Sequence, residues 1–339
     1  MIWSRDYLGS MFETKLPTRN LSLDLLRATE AAALGSARWA GLGDKNSGDE
    51  AAVSAMRLLL NTAPMRGRVL IGEGEKDRAP MLYNGETVGA GQGPEIDLAI
   101  DPVEGTRLLA YGRPGAISVV AAAPKGTLFN PGPAFYAAKL VVGLEAREAI
   151  DLKAGVAANL REIAKALKKE VRQLTVFVLD KPRHNALIDQ IRTAGARISL
   201  HTDGDVAGAL AAVLPGTGID VLMGTGGTPE GVISAVAVRA LGGGMQMRLD
   251  PQYQEELSNV THAGYDTKRV YTLEELCADD DIHFAATGIT DGSFLQGVRY
   301  TPSGAITHSL VIRGETRTLR LVEAHHHLDK LRAISPVTY

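Results

Sequence analysis

An α/β protein in two halves is what this sequence predicts, and three observations predict it. Between Leu174 and Leu241 short apolar runs alternate with helical patterns, the βαβ texture of a parallel sheet covered by helices on both faces. Between Arg68 and Ala122 further apolar runs appear, and those at Arg68–Ile71 and Ile96–Ile100 end in turns rich in acids and glycines. The length, 339 residues, suits two domains of roughly 100–200 residues each.

The elements follow in order. Residues 1–20 show no period and read as an N-terminal arm. A first helix spans about Leu21–Trp39, with Leu23, Leu26, Ala33, Leu34 and Ala37 at helical spacing and Ser22 or Asp24 as its cap. After a loop over Gly41–Asp49, a second helix runs to about Asn61. Strands are expected at Arg68–Ile71, Ile96–Ile100 and Ala116–Ala122. A helix at about Val156–Lys169 ends in a basic turn that suits its dipole. Strand Leu174–Leu179, a helix to Ala194, strand Arg197–Leu200, a helix to Leu214, strand Ile219–Met223, a glycine-rich turn over Gly224–Glu230 and a helix to Leu241 come next. From Ile282 onward the chain reads mostly as strands. The halves meet near residue 170, giving an α+β domain over 21–170 and an α/β domain over 171–339.

Composition excludes several classes. Thirty-six Lys and Arg against 39 Asp and Glu leave a net charge of −3, which argues against a nucleic-acid binder. Cys277 is the single cysteine, so neither an internal disulfide framework nor a cysteine-rich zinc site can form. No apolar run reaches the ~18 residues of a membrane span, and Met1-Ile2-Trp3-Ser4-Arg5-Asp6 does not open like a signal peptide, so a cytoplasmic protein is expected. Thirty-seven glycines imply many tight turns, some bringing backbone close to a ligand.

The chemistry concentrates at strand ends, where open α/β sheets bind ligands. Asp97 and Asp101 flank a short apolar run, and Glu104 follows across Pro102. Pro102 fixes the backbone and Gly105 frees it, so Asp101 and Glu104 can converge, with the Thr106 hydroxyl beside them. Hard oxygen donors converging in this way fit Mg²⁺ or Mn²⁺. Glu73, Glu75 and Asp77 repeat the pattern, three acids within five residues that repel one another unless a cation balances them. Two such turns form a cluster large enough for more than one ion, an arrangement suited to phosphate-ester hydrolysis. The Gly224–Thr228 stretch opens a helix but lacks the Gly-Lys-Ser/Thr of a P-loop, and Glu230 near the helix entry would repel a pyrophosphate. A metal ligand at Glu230 explains that glutamate better. Lys181 and Arg183 are placed to clamp a second phosphate, and Asp203 and Asp205 to accept hydrogen bonds from sugar hydroxyls. In an extended segment His326 faces away from His325 and His327, so the three cannot share an ion and read as structural or surface residues. Cys277 has no basic neighbour in sequence and is no nucleophile.

Taken together, these motifs resemble a known family. Gly43-Asp44-Lys45-Asn46 with Asp49, Ile71-Gly72-Glu73-Gly74-Glu75 with Asp77 and Ala79-Pro80-Met81-Leu82, Asp97 and Asp101-Pro102 with Glu104-Gly105-Thr106, Lys181-Pro182-Arg183-His184, Asp203-Gly204-Asp205-Val206-Ala207 and Pro229-Glu230-Gly231-Val232 occur in the order and spacing of class II fructose-1,6-bisphosphatases. That family includes the cyanobacterial type also acting on sedoheptulose 1,7-bisphosphate. The resemblance spans roughly Leu21 to Asp329. It implies the layered αβαβα sugar-phosphatase fold shared with inositol monophosphatases. By motif it implies metal ligands Asp49, Glu73, Asp101, Glu104 and Glu230, of which Asp101, Glu104 and Glu230 share one ion and Asp49 and Glu73 another. It further implies substrate contacts at Lys45, Glu104, Gly105, Thr106, Tyr136, Lys181, Pro182, Arg183, Asp203, Gly204, Asp205 and Gly227. Thr106, Asp49, Asp77 and Glu230 would carry the catalysis, with an attacking water oriented by Thr106 and by Asp49 or Asp77. The implied cofactor is Mg²⁺ or Mn²⁺, the partner a small sugar bisphosphate, the assembly a homodimer or homotetramer, and the setting gluconeogenesis or the Calvin cycle. A lithium-sensitive inositol or nucleotide phosphatase, and a catalytically silent sugar-phosphate sensor, are the alternatives. Where the family commonly reads Thr-Ala-Asp this chain has Ser47-Gly48-Asp49, which keeps the acid, and the segment after Leu249 is shorter than in several relatives.

Overall fold

The computed structural model describes residues 20–74 and 81–334. In chain order the elements are α1 (Ser22–Ser36), α2 (Lys45–Leu60), β1 (Arg66–Ile71), β2 (Thr87–Val88), β3 (Glu95–Glu104), α3 (Thr106–Ala110), β4 (Ile117–Pro124) and β5 (Tyr136–Val142). Next come α4 (Val156–Ala166), β6 (Thr175–Leu179), α5 (Asn185–Thr193), β7 (Arg197–His201), α6 (Asp205–Val213), β8 (Val221–Gly227) and α7 (Thr228–Leu241). The chain finishes with β9 (Gly244–Leu249), α8 (Gln254–His262), β10 (Tyr271–Thr272), α9 (Leu273–Leu276), β11 (His283–Gly288), β12 (Arg299–Thr301), β13 (Gly304–Arg313), β14 (Thr318–His326) and α10 (Leu328–Ile334).

Two sheets result. The first has eight strands in the order β12-β13-β11-β4-β3-β1-β2, with β14 added on β13; the second has six in the order β10-β9-β5-β8-β6-β7. Side-chain alternation along the strands separates three apolar layers. Val120, Ala122, Ala285 and Val311 of the first sheet face outward onto α1 and α2. Ile117, Val119, Ala121, Phe284 and Leu310 face inward, where α6 and α7 separate them from Ala137, Val141 and Phe177 of the second sheet. Leu140, Val142, Val176 and Val178 face outward onto α4 and α5. The architecture is therefore αβαβα. Helix α7 is apolar on all sides, with Val232, Ile233 and Ala235 to Val238 buried, as a helix between two sheets must be.

Several elements differ from the sequence reading, each for a local reason. Helix α2 begins at Lys45 rather than Asp49, because the Asp44 side chain caps it, accepting from the Asn46 and Ser47 amides at 3.1 Å each. Strand β3 continues through Pro102 to Glu104, and β8 continues through the glycines to Gly227, so both supposed turns are strand ends. In the second sheet β7, β6 and β8 are parallel, as expected of βαβ units, but β5, β9 and β10 are antiparallel, which makes the sheet mixed. Neither sheet ends at residue 170: β5 precedes it and joins the second sheet, whereas β11 to β14 follow it and join the first. Connections need only avoid crossing and threading, so a chain can return to a sheet that its earlier strands began.

Candidate active site

The site grows from one irregularity in β3. Opposite it, β4 pairs Val119 with Asp101 and Ile117 with Glu104, so three steps along β3 match two along β4. An odd spacing would place the two acids on opposite faces; the extra residue of this bulge puts both on the inner face. Pro102, which has no amide to donate, sits within the bulge, and Asp101 Oδ1 accepts from the Val103 amide at 3.1 Å. Gly105 then adopts φ +87°, reversing the chain into α3 at Thr106. Asp97, earlier on the strand, belongs to a different task. It is fully buried and held by a two-pronged Arg68 pair at 3.0 and 3.1 Å and by the Gly126 amide.

Asp49 on α2 and Glu73 after β1 join these acids, and their side chains share a hydrogen bond. Glu230 arrives from the first turn of α7. Burial, then the Asp49 charge, pushes Glu73 up to about 8. Burial, then Asp205 and Glu230, pushes Glu104 up to about 8. Burial raises Asp49 and Glu230 as well. Asp101 is raised by burial and by the charges of Glu104, Glu230, Glu73 and Asp49, so the five acids lie within one another's field. Glu104 Oε2 and Glu230 Oε2 are both buried without a hydrogen-bond partner. Among the described residues no three His, Cys, Asp or Glu side chains form a closed ligand set as they stand. The hard-oxygen donor set, the mutual repulsion and the two orphaned oxygens nevertheless fit a divalent cation.

The second sheet supplies the other wall. Gly226 and Gly227 close β8 opposite Ala137 and Tyr136. A Cβ at Gly226 would lie 2.1 Å from Asp205 Oδ2, and one at Gly227 would lie 1.8 Å from Glu230 Oε2, so these glycines leave room for carboxylates. Arg183 lies over the Tyr136 ring at 5.0 Å and donates from Nε to the Thr225 carbonyl at 2.9 Å. Lys181 donates to Asp203 Oδ1 at 2.9 Å. Pro182 opens the short turn between them, and His184 pins it: the Thr225 amide donates to Nε2, so Nδ1 carries the proton and donates to the Leu179 carbonyl. Gly204, at φ +102°, precedes Asp205 at the start of α6. Lys45 stands exposed one helical turn before Asp49, on the same face of α2. Asp77 and Glu75 lie outside the described residues.

The profile of a family described as bacterial fructose-1,6-bisphosphatase, glpX-encoded, matches residues 19–326. The chain belongs to this family. It is 45 % identical over 329 residues to the fructose-1,6-bisphosphatase class 2 of Haemophilus influenzae, covering 93 % of this chain and 98 % of that protein. It is 43 % identical over 325 residues to the fructose-1,6-bisphosphatase 1 class 2 of Escherichia coli K12, covering 92 % and 96 %. Gly48 has a local cause. A Cβ there would come within 2.8 Å of Leu109 and 3.1 Å of Trp39.

Sequence reading missed three cations. Lys139, 3 % exposed on the inner face of β5, pairs with Asp205 and donates to the Gly227 carbonyl at 2.5 Å. Asp205, expected to receive a sugar hydroxyl, is thus engaged by an ammonium. The available signal was one lysine in the otherwise apolar run Ala137–Val142. Arg107 and Arg113 line a recess of about 240 Å³ together with Tyr111, Thr202 and Asp203, next to the Lys181–Asp203 pair. Nothing in their spacing separated them from surface arginines. Cys277 is buried, and burial holds its thiol up at about 11, in line with an inert residue. His326 bonds Thr307 at 2.8 Å, whereas His325 faces outward and bonds Glu323 at 2.8 Å. No helix among the described residues is long and apolar enough to cross a membrane.

Proposed function

We propose that this chain hydrolyses the 1-phosphate of fructose 1,6-bisphosphate to fructose 6-phosphate and phosphate with the help of Mg²⁺ or Mn²⁺. The observation that carries the reading is the pair of buried, unpartnered carboxylate oxygens on Glu104 and Glu230, brought from different elements to the same acidic centre. Family membership supports the sugar bisphosphate as substrate. Asp101, Glu104 and Glu230 would hold one ion, and Asp49 and Glu73 another. A bound divalent ion supplies positive charge against the phosphoryl oxygens and lowers the pKa of water.

The chain's own groups do the rest. Thr106 opens α3 beside Glu104 and orients the attacking water by its hydroxyl. Asp49 takes the proton of that water, and Asp77 is the other acid that the sequence offers for this step. Lys181, Arg183 and Tyr136 grip the far phosphate, where the guanidinium suits bidentate binding. Asp203, Gly204 and Gly227 border the sugar, and Lys45 adds charge at the mouth. Positioning and electrostatics would supply most of the rate. Sedoheptulose 1,7-bisphosphate, one hydroxylated carbon longer, is a second substrate to assay, and a homodimer or homotetramer is the assembly to look for.

The test is phosphate release from fructose 1,6-bisphosphate with Mg²⁺, with Mn²⁺ and with chelator, beside inositol 1-phosphate. Metal-dependent release from the bisphosphate alone is expected. Release from inositol 1-phosphate alone would keep the acid cluster and discard the far-phosphate grip.

A further inference from the structure

We propose that Lys139 is a positioning residue of this site: its ammonium ties Asp205 and the Gly227 carbonyl together and so aligns the second-sheet wall with Glu104 and Glu230. The inference rests on the phosphatase reading above. Lys139 lies between Ala137 and Val141 on the inner face of β5, both of them in the central apolar layer. A buried ammonium is tolerated only when it is paired and hydrogen-bonded. Here both conditions are met within the site itself, by Asp205 and by Gly227. The side-chain stem passes Gly231, where a Cβ would come within 3.3 Å of Lys139 Cε.

Each partner leads onward to a catalytic acid. Asp205 opens α6, and the amides of Asp205 and Val206 donate to Glu104, the latter at 3.3 Å to Oε1. That leaves Oε2 as the oxygen turned to the site. Gly227 occupies the spot where any Cβ would overlap the Glu230 carboxylate, so moving the Gly227 carbonyl moves the wall against which Glu230 rests. The Lys139 charge also attracts Glu230 directly. One side chain of the second sheet therefore registers an acid from β3 and an acid from α7 against each other.

A plain structural role would be to neutralise Asp205 and no more. Three variants separate the roles: Lys139→Met, Asp205→Asn and the double. The readouts are Tm, kcat and KM on fructose 1,6-bisphosphate, and Mn²⁺ binding to the substrate-free protein by calorimetry. Lys139→Met alone strands a buried carboxylate and lowers Tm. Asp205→Asn alone strands the buried ammonium in turn, whereas the double variant strands neither charge, so its Tm should lie at or above that of Asp205→Asn alone. In that background Lys139→Met is expected to lower kcat by about 30-fold or more, with KM within about threefold and Mn²⁺ binding about tenfold weaker. If Lys139→Met leaves kcat and Mn²⁺ affinity unchanged in that background, the lysine serves only to neutralise Asp205 and the proposal is overturned. A large Tm loss in the double relative to Asp205→Asn would overturn it too, by making Lys139 a packing residue. Should the unaltered protein release no phosphate from the bisphosphate, the phosphatase reading fails on its own, and the Tm and Mn²⁺ comparisons still decide the role of Lys139.

Discussion

The two sheets bring opposite kinds of polar group to the central layer. On the first-sheet side Asp101 and Glu104, with Asp49 and Glu73 beside them, repel one another, and Glu104 keeps a buried oxygen without a partner. On the second-sheet side the cations are already engaged: Lys139 with Asp205, Lys181 with Asp203, Arg183 with the Thr225 carbonyl and the Tyr136 ring. The first wall is unfavourable in itself and becomes favourable when a cation arrives. The cations of the second are held in place beforehand and, in the function proposed above, would lose little entropy on meeting substrate. In the function proposed above, the charge that serves chemistry is left frustrated, whereas the charge that serves recognition is preorganised.

Glu104→Gln is the hardest test of that contrast. It should lower kcat by about 1,000-fold or more, about 4 kcal/mol of barrier, while Tm stays level or rises because repulsion is removed. A fall in Tm together with near-normal turnover would mean that the first wall is structural. The outer face of the same sheet sharpens the point, since it buries charge-capable groups without a ligand to serve. Burial, then Arg313, lowers His283 from 6.5 to about 4, and its ring is held neutral between Ser22 and Arg313. A base with a depressed folded pKa stabilises fully above its unfolded value. That stability, up to about 3 kcal/mol, is lost as pH falls from 6.5 through 4. Glu30, pushed up to about 7 by burial, behaves in the opposite way, stabilising below 4.5 and losing that effect as pH rises through 7. Melting curves against pH for His283→Asn and Glu30→Gln should each flatten one limb.

Cation binding comes next in size. Mn²⁺ at about 100 times its Kd should add about 2.7 kcal/mol of stability, read as a Tm rise that Glu104→Gln reduces. An equal rise in that variant would place the ion elsewhere. On the second wall, Arg183→Ala should raise KM for the bisphosphate by about 30-fold, about 2 kcal/mol, and leave a 1-monophosphate substrate almost unaffected. Equal losses on both would break the assignment of this wall to the far phosphate. The smallest effect belongs to the exposed pair Lys125–Glu95, 3.3 Å apart, where Lys125→Ala should change stability by less than about 0.5 kcal/mol.

Much of this was legible in the sequence, and the reasons are local. Two acids, a glycine and a proline within six residues announced the end of β3, because each residue type constrains its own backbone or seeks its own charge balance. The βαβ run through β6, β7 and β8 was legible from periodicity, as were the late strands. The start of α2 was misplaced because Asp44 acts as a cap, and one carboxylate looks like another until its hydrogen bonds are known. Asp97 stood level with Asp101 in sequence, yet Arg68 occupies it. Asp205 was read as a sugar contact because its partner lies 66 residues away on another strand.

The sequence by itself determined the inventory: which acids, which glycines, which basic residues, and the α/β class that brings strand ends together. These follow from short-range patterns that persist in any arrangement of the chain. Tertiary structure decided the pairings. It returned β11 to β14 to the first sheet, put Asp101 and Glu104 on one face through a single extra residue opposite β4, and set Lys139 against Asp205. Burial and partnership are properties of the packed layers, and they decide which charged groups are satisfied and which remain available for chemistry.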